Sequence, residues 1–571
     1  MIVISTTIGV GFFANSGDTL ALAGPVATIL AFAVVGLVAW GAMDGLSEMV
    51  VFWPVPNPLV QFVQTFVDRE LGTVVHFAYW YTYAISTAAV ITTAGGIVQY
   101  WSEDDGSELK ESKVSKALIY ITFPIIILLV IQLMIQVFGY VELFGGGLKL
   151  LMVAGLMLMM FLIDWVARPY PGGRNLSHCI KDGFVDHMGT DKRVAAVLAI
   201  NLAVFPYVGV ETFTITAFEA KNPAALKLPS KRIVPFVMLL YTLSVLGFSL
   251  NVPWNNGLLP VYYGTWGDPN TANNNFTCNS HPLDQKRAAG DGHFLPTIAV
   301  DLAKIDGLSG FINSCLLYSA LSTANSSLYM ASRILHSFTA THGKTKFWSY
   351  FNRLNDQGSP VWAVCASLIF CWVPFLSFKG NSAKRTQQVL MSIGSTSCVL
   401  VWAAQCLAYI RYRKWLAKHS RQIASEEWSG YNEYYPFRSR KWTDFPSHMQ
   451  PVLAWISCAM CIIVVLGFPI AGLSHPGHLH WLIATNTYLG PGLCLLLLLG
   501  LKAYKWRRAE RGWVRLGSWE ELRAVIKRLR NDSLSNIRKD DNVNIDGSIS
   551  PPPLGPEDHP SSFALQCLGQ R

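Results

Sequence analysis

Three features of this chain have residue types and spacings that could do chemistry. Two are backbone breaks: "IGVGFF" sets Gly9 and Gly11 two apart inside one apolar stretch, and "FPYVGVETF" sets Pro206, Gly209 and Glu211 inside another. A glycine costs about 1 kcal/mol relative to alanine in a helix interior, and a proline removes a backbone donor. Both stretches are expected to unwind in mid-helix, leaving amides that could hold a carboxylate and carbonyls that could hold an ammonium. The third feature is Lys149 in "GGGLKLLMV", an amine within an apolar run.

Each feature also has a plainer explanation. Glycines let membrane helices pack closely, and a lysine near the end of a span can snorkel to the interface. Either break alone would be read as packing. Matched breaks five spans apart are instead the pattern of an inverted-repeat transporter. Lys149 is the best proton-carrier candidate. Glu211, beside the second break, could gate a substrate or bond structurally; Glu48 reads as structural, and His76 as a satisfied packing residue.

The elements that must position these residues follow from composition. Of 571 residues, 51% are hydrophobic and only 14% charged, against about 25% charged in soluble domains. Apolar runs of membrane-crossing length recur, so the chain is expected to be an all-α polytopic membrane protein. Twelve spans are counted, at about 1–17, 25–48, 72–100, 117–139, 147–165, 194–217, 233–252, 308–337, 360–378, 388–410, 451–471 and 481–502.

The net charge of +9 does not point to nucleic acid, because basic residues crowd directly behind spans, as in "RYRKWLAKHSR" and "KAYKWRRAERGWVR". That is the positive-inside pattern, and with twelve spans it places both termini in the cytoplasm. The long 253–307 connection then lies outside and carries "NFT" at Asn275, a glycosylation acceptor. Asn325 also fits that pattern but falls in a span. The eleven cysteines show no metal-ligand spacing, and no nucleophile elbow or phosphate loop is found. An enzyme is the least favoured class, and no cofactor is expected.

The first segment has no basic residue before it, so an amino-terminal tail and part of the first helix are expected to precede it. Residues 1–505 are taken as the membrane domain and 506–571 as a cytoplasmic tail. In that tail "SWEELRAVIKRLRND" reads as an amphipathic helix with a Ser518–Glu521 capping box. Its basic face suits anionic lipid headgroups, and a polar, disordered segment is expected beyond it.

Over nearly its whole length the chain resembles the fungal amino acid permeases of the amino acid–polyamine–organocation superfamily. The resemblance is carried by "TIGVGFF", "AGP", "SEM", "FPYVGVETFTITAFEAKNP", "SALSTANSSLYMASRIL", "SIGSTSCVLVW" and "IRYRKW". It implies a leucine-transporter-like core of two inverted five-helix repeats with broken helices one and six, plus two further helices. It also implies proton-driven amino acid uptake at the plasma membrane, with cytoplasmic tails that could meet trafficking or ubiquitination partners.

Residue by residue, Ile8, Gly9 and Gly11 match the family's unwound first helix, and Phe205, Gly209, Val210 and Glu211 its broken sixth. Asn325, Ser326 and Ser327 fall on its polar segment in span eight, and Lys149 on its span-five lysine. That lysine would approach freed carbonyls near Gly9 and the hydroxyl of Ser326 or Ser327. The chain departs from the pattern in two places: Val90 stands where the family's "AAEITAA" has glutamate, and Ser5-Thr6 where it has "GG". An amino acid sensor and a permease for a related amine remain as alternatives.

Overall fold

The computed structural model describes residues 2–53, 57–104, 135–166, 183–185, 192–214, 227–254, 294–305, 307–342, 359–371, 382–419, 450–467, 480–506 and 517–540, with isolated positions that include 55, 350 and 514. Among them every regular element is helical. In chain order the helices are α1 (Ile2–Thr7), α2 (Val10–Ala23), α3 (Pro25–Phe52), α4 (Pro58–Phe66), α5 (Arg69–Asp104), α6 (Ile135–Val166), α7 (Lys192–Leu202) and α8 (Lys227–Asn251). Then come α9 (Leu295–Leu302), α10 (Leu308–His342), α11 (Val361–Ser367), α12 (Ser382–Lys418), α13 (Val452–Ile462), α14 (His480–Trp506) and α15 (Trp519–Asp540).

Seven helical segments among the described residues are long and apolar enough to cross a membrane: Pro25–Val50, Arg69–Val98, Glu142–Val166, Lys192–Thr212, Lys231–Asn251, Gln387–Lys418 and Thr487–Lys505. The 35-residue α10 is long enough but more polar, because it carries the Ser/Thr/Asn run. Most of the expected fourth span, and Asn275, lie outside the described residues.

Both breaks form. The first separates α1 from α2 at Ile8-Gly9, and Gly9 caps α2 in an extended conformation with no side-chain hydrogen bond. After α7 the chain passes through two single 3-10 turns, Phe205–Tyr207 and Val210–Thr212. Gly209 joins them at φ 115°, a torsion that L side chains rarely adopt.

The fifth span departs from expectation. The expected fifth span begins at about residue 147, after Gly145 and Gly146. The structure instead continues one helix from Ile135 through them. A Cβ on Gly145 would meet the Tyr318 hydroxyl at 2.8 Å, so that glycine permits close packing on α10. This puts Glu142 inside the bundle. The outer face of α6 is apolar and exposed, with Leu151 71% and Trp165 72% accessible, as suits a face against lipid.

The capping box of α15 is present, with Glu521 N–H donating to Ser518 Oγ at 3.3 Å. Leu522, Ile526 and Leu529 are buried against the protein, and Arg523, Lys527 and Arg528 point outward. Contacts along the chain before α15 tie it to the bundle. Val514 N–H donates to Val67 O at 3.1 Å, and Arg411 Nη2 and Lys418 Nζ donate to Val514 O and Gly517 O. Lys502 and Lys505, at the end of α14, pair with Asp68 and Glu70 at 2.9 and 2.7 Å.

Burial alone would raise the Asp68 carboxyl. Hydrogen bonds from Lys502, Glu70 and Leu71 outweigh that and hold it below the ordinary value. The sign of the linkage follows: a depressed carboxyl stabilises the fold fully above its unfolded value of about 3.9. That contribution is lost only as pH falls through the lower folded value.

Candidate functional site

Breaking a helix leaves carbonyls without their amide partners, and four of them are met by side chains from elsewhere. Pro206 cannot donate to Leu202 O; Asn15 Nδ2 on α2 donates to it at 2.7 Å. The Tyr241 hydroxyl on α8 lies 2.8 Å from Thr7 O and 3.3 Å from Pro206 O, so one group joins both breaks. Its ring stacks on Phe12 at 4.3 Å with a 6° tilt. Such a pair adds about 0.5–1.5 kcal/mol beyond area burial.

Lys149 meets the fourth freed carbonyl. It is completely buried, and Nζ donates to Ser5 O at 2.8 Å, Ser5 Oγ at 3.2 Å and Thr323 Oγ1 at 3.1 Å. An amine held by three oxygens does not snorkel. The hydroxyl from α10 differs from the expectation: it belongs to Thr323, and neither Ser326 nor Ser327 contacts the amine. Ser326 Oγ instead donates to Glu142 Oε1.

Between the breaks lies a small cavity lined by Thr6, Thr7, Gly9, Gly11, Phe12, Tyr83, Ser86, Val90, Phe205, Pro206, Val208, Thr323 and Ser327. The structure thus brings Gly9, Gly11, Phe205 and Ser327 of the expected site together, and adds Val90. It does not bring Ile8, Gly209, Val210, Asn325, Ser326, Lys149 or Glu211 to the cavity wall. On α10, Thr323 and Ser327 are four apart and both reach the cavity, while Ser326, three residues from Thr323, is turned to Glu142 on α6.

The glycines fit by close approach. A Cβ on Gly9 would lie 2.7 Å from Thr323 Oγ1, and one on Gly11 2.6 Å from the Phe205 ring. Gly209 packs on the Thr6 backbone, where a Cβ would sit 3.2 Å from the carbonyl.

Glu211 makes a clasp rather than a wall. Its carboxylate accepts from Tyr83 Oη at 2.8 Å, Trp402 Nε1 at 3.3 Å and Gly209 N at 3.3 Å. These bonds suit the structural alternative for Glu211. It fixes Tyr83, which does line the cavity. Glu48 accepts from Tyr409 Oη at 2.6 Å and lies 3.7 Å from Arg413. His76 Nε2 lies 2.8 Å from Ile334 O.

Sequence reasoning missed Thr323, Tyr83, Ser86, Asn15, Tyr241 and Glu142. Thr323 alone carried a usable signal, its i, i+4 relation to Ser327.

A helical bundle with paired breaks around a buried cavity has the form of a multi-pass membrane transporter. The chain belongs to the amino acid permease family, whose model matches residues 1–429. It is 26% identical over 479 residues to the lysine/arginine permease CAN1 of Candida albicans, covering 82% of this chain and 74% of that one. The proline-specific permease of Saccharomyces cerevisiae is 25% identical over 526 residues, covering 89% and 75%. A solved manganese transporter of Eremococcus coleocola is similar with a TM-score of 0.46 at 12% identity, over 94% of this chain and 93% of that one. That likeness is too distant to add to the family assignment.

Proposed function

We propose that the protein imports neutral amino acids across the plasma membrane by proton symport with alternating access. The observation that carries this reading is Lys149, whose ammonium group bridges the broken first helix to α10 through Ser5 O and Thr323 Oγ1. An amine fixed in this way can serve as the coupling cation, so that protonation holds α1 against α10 and deprotonation releases it. The inverted five-helix repeats, the cytoplasmic termini and the division at residue 505 belong to this reading.

The energetics are sufficient. One charge crossing 100 mV yields about 2.3 kcal/mol, and two pH units add about 2.8 kcal/mol. Their sum of about 5 kcal/mol allows accumulation beyond a thousandfold.

The cavity favours a neutral side chain. Among the described residues no carboxylate, amine or imidazole lines it. The amides at the start of α2 suit the substrate carboxylate, and the wall of Phe12, Val90 and Phe205 suits an apolar side chain. A cationic side chain without a counter-charge costs about 2.5–3.5 kcal/mol at membrane depth, or about a hundredfold in affinity. Of the two relatives described, the one named for proline has the substrate without a side-chain charge.

The test is competition for uptake in a permease-deficient yeast. Neutral amino acids should compete and lysine and arginine should not, whereas Val90→Glu should admit the cationic pair. Equal competition by lysine in the wild type would overturn the neutral assignment.

A further inference from the structure

Glu142 lies outside the cavity and is completely buried, on the same helix as Lys149 and seven residues before it. Seven residues are two turns, a rise of about 10 Å, so both side chains leave the same face of α6. That face meets the polar face of α10, where the pairing runs antiparallel: Lys149 to Thr323, and Glu142 to Ser326. The two hydroxyls are three residues apart, and so adjacent on α10.

The contacts of Ser326 allow both protonation states of Glu142. Its Oγ is bonded to Glu142 Oε1 and also lies 2.9 Å from Ser322 O. When Glu142 is a carboxylate, Ser326 donates its proton to Oε1. When Glu142 is protonated, its own O–H can donate to Ser326 Oγ while Ser326 turns its proton to Ser322 O. The other carboxyl oxygen, Oε2, is buried and has no hydrogen-bond partner among the described residues. Among the described residues one hydroxyl is thus the carboxyl's hydrogen-bond partner within a membrane span, a geometry that can hold either state.

We propose that Glu142 is a second proton-carrying residue of the coupling machinery, the carboxylate counterpart of Lys149 across Thr323 and Ser326. The proton that Lys149 releases leaves a neutral amine, and a proton taken up by Glu142 turns its carboxylate into a neutral acid. The pair therefore passes between ammonium–carboxylate and amine–acid with no net charge created in the membrane. Other titratable groups near Glu142 are few. On α10 Tyr318 stands close, its hydroxyl over Gly145; α1 offers no ionisable side chain; and on α8 Tyr241 is turned to the breaks.

This inference rests on the proton-symport reading, and the experiment separates the two. Wild type, Glu142→Gln and Glu142→Asp are compared as full-length protein in yeast vesicles for uphill uptake across a pH series, counterflow exchange and KM. Glutamine keeps the shape and an acceptor for Ser326 but cannot ionise. The expected result for Glu142→Gln is accumulation down about tenfold or more with a flattened pH profile, while counterflow and KM stay near wild type. Glu142→Asp should recover part of the pH response. Accumulation and pH profile in Glu142→Gln matching a pH-responsive wild type would overturn the role of Glu142 alone. So would counterflow falling in step with accumulation and Glu142→Asp giving no rescue, since a structural role behaves that way. A wild type indifferent to pH would overturn both readings.

Discussion

Lys149→Ala should reduce uphill accumulation to a ratio of about one, a loss of at least about 4 kcal/mol in work against the gradient if the wild type accumulates a thousandfold. The expectation follows from the contacts of the amine. Nζ alone joins the Ser5 carbonyl to the Thr323 hydroxyl, and alanine leaves that carbonyl without its partner at the break. No other amine among the described residues is placed to replace it. Exchange of substrate down its gradient should survive in part, because the cavity walls do not include Lys149. Surface expression measured alongside separates loss of coupling from loss of protein. Accumulation at wild-type level, with unchanged pH dependence, would show that coupling lies elsewhere.

Gly9→Leu and Gly11→Leu should each lower uptake by about a hundredfold or more, the scale of effect produced by an ångström of misplacement at a reacting centre, while the protein still reaches the membrane. Their mechanisms differ. At Gly9 even the first added carbon would sit 2.7 Å from Thr323 Oγ1, the hydroxyl that Lys149 uses. Gly9 substitutions should therefore damage coupling as well as binding. At Gly11 the added carbon would displace the Phe205 ring, 2.6 Å away, and close the cavity without touching the lysine contacts. Gly11→Ala should thus raise KM while leaving pH dependence intact, and Gly9→Ala should disturb both. Uptake kinetics at several pH values check the pair, and identical behaviour of the two alanine variants would contradict this division.

The breaks could be read in the sequence because glycine and proline act locally. Pro206 removes its own amide, and Gly209 supplies a torsion that other residues avoid. The groups that complete the breaks could not be read in this way. Asn15 lies 187 residues from the carbonyl it caps, and Tyr241 lies 234 from Thr7; nothing local marks either pairing. Lys149 was legible as an amine in an apolar run, but its partner on α10 depended on helix rotation, which chose Thr323 over Ser326. Glu142 lay before the expected span of 147–165, and the close approach of Gly145 to Tyr318 on α10 is a contact that nothing local marks. Glu211 was visible as a buried charge, and its role emerged only when Tyr83 and Trp402 were brought to it from distant helices.

The most direct measurement is of substrate-driven proton entry into sodium-free proteoliposomes that contain the purified protein. Addition of a neutral amino acid outside should acidify the lumen in proportion to the substrate taken up, and Lys149→Ala should abolish that signal. Substrate uptake with no accompanying proton entry, or uptake that appears only when sodium is added, would contradict proton coupling through the Lys149 bridge.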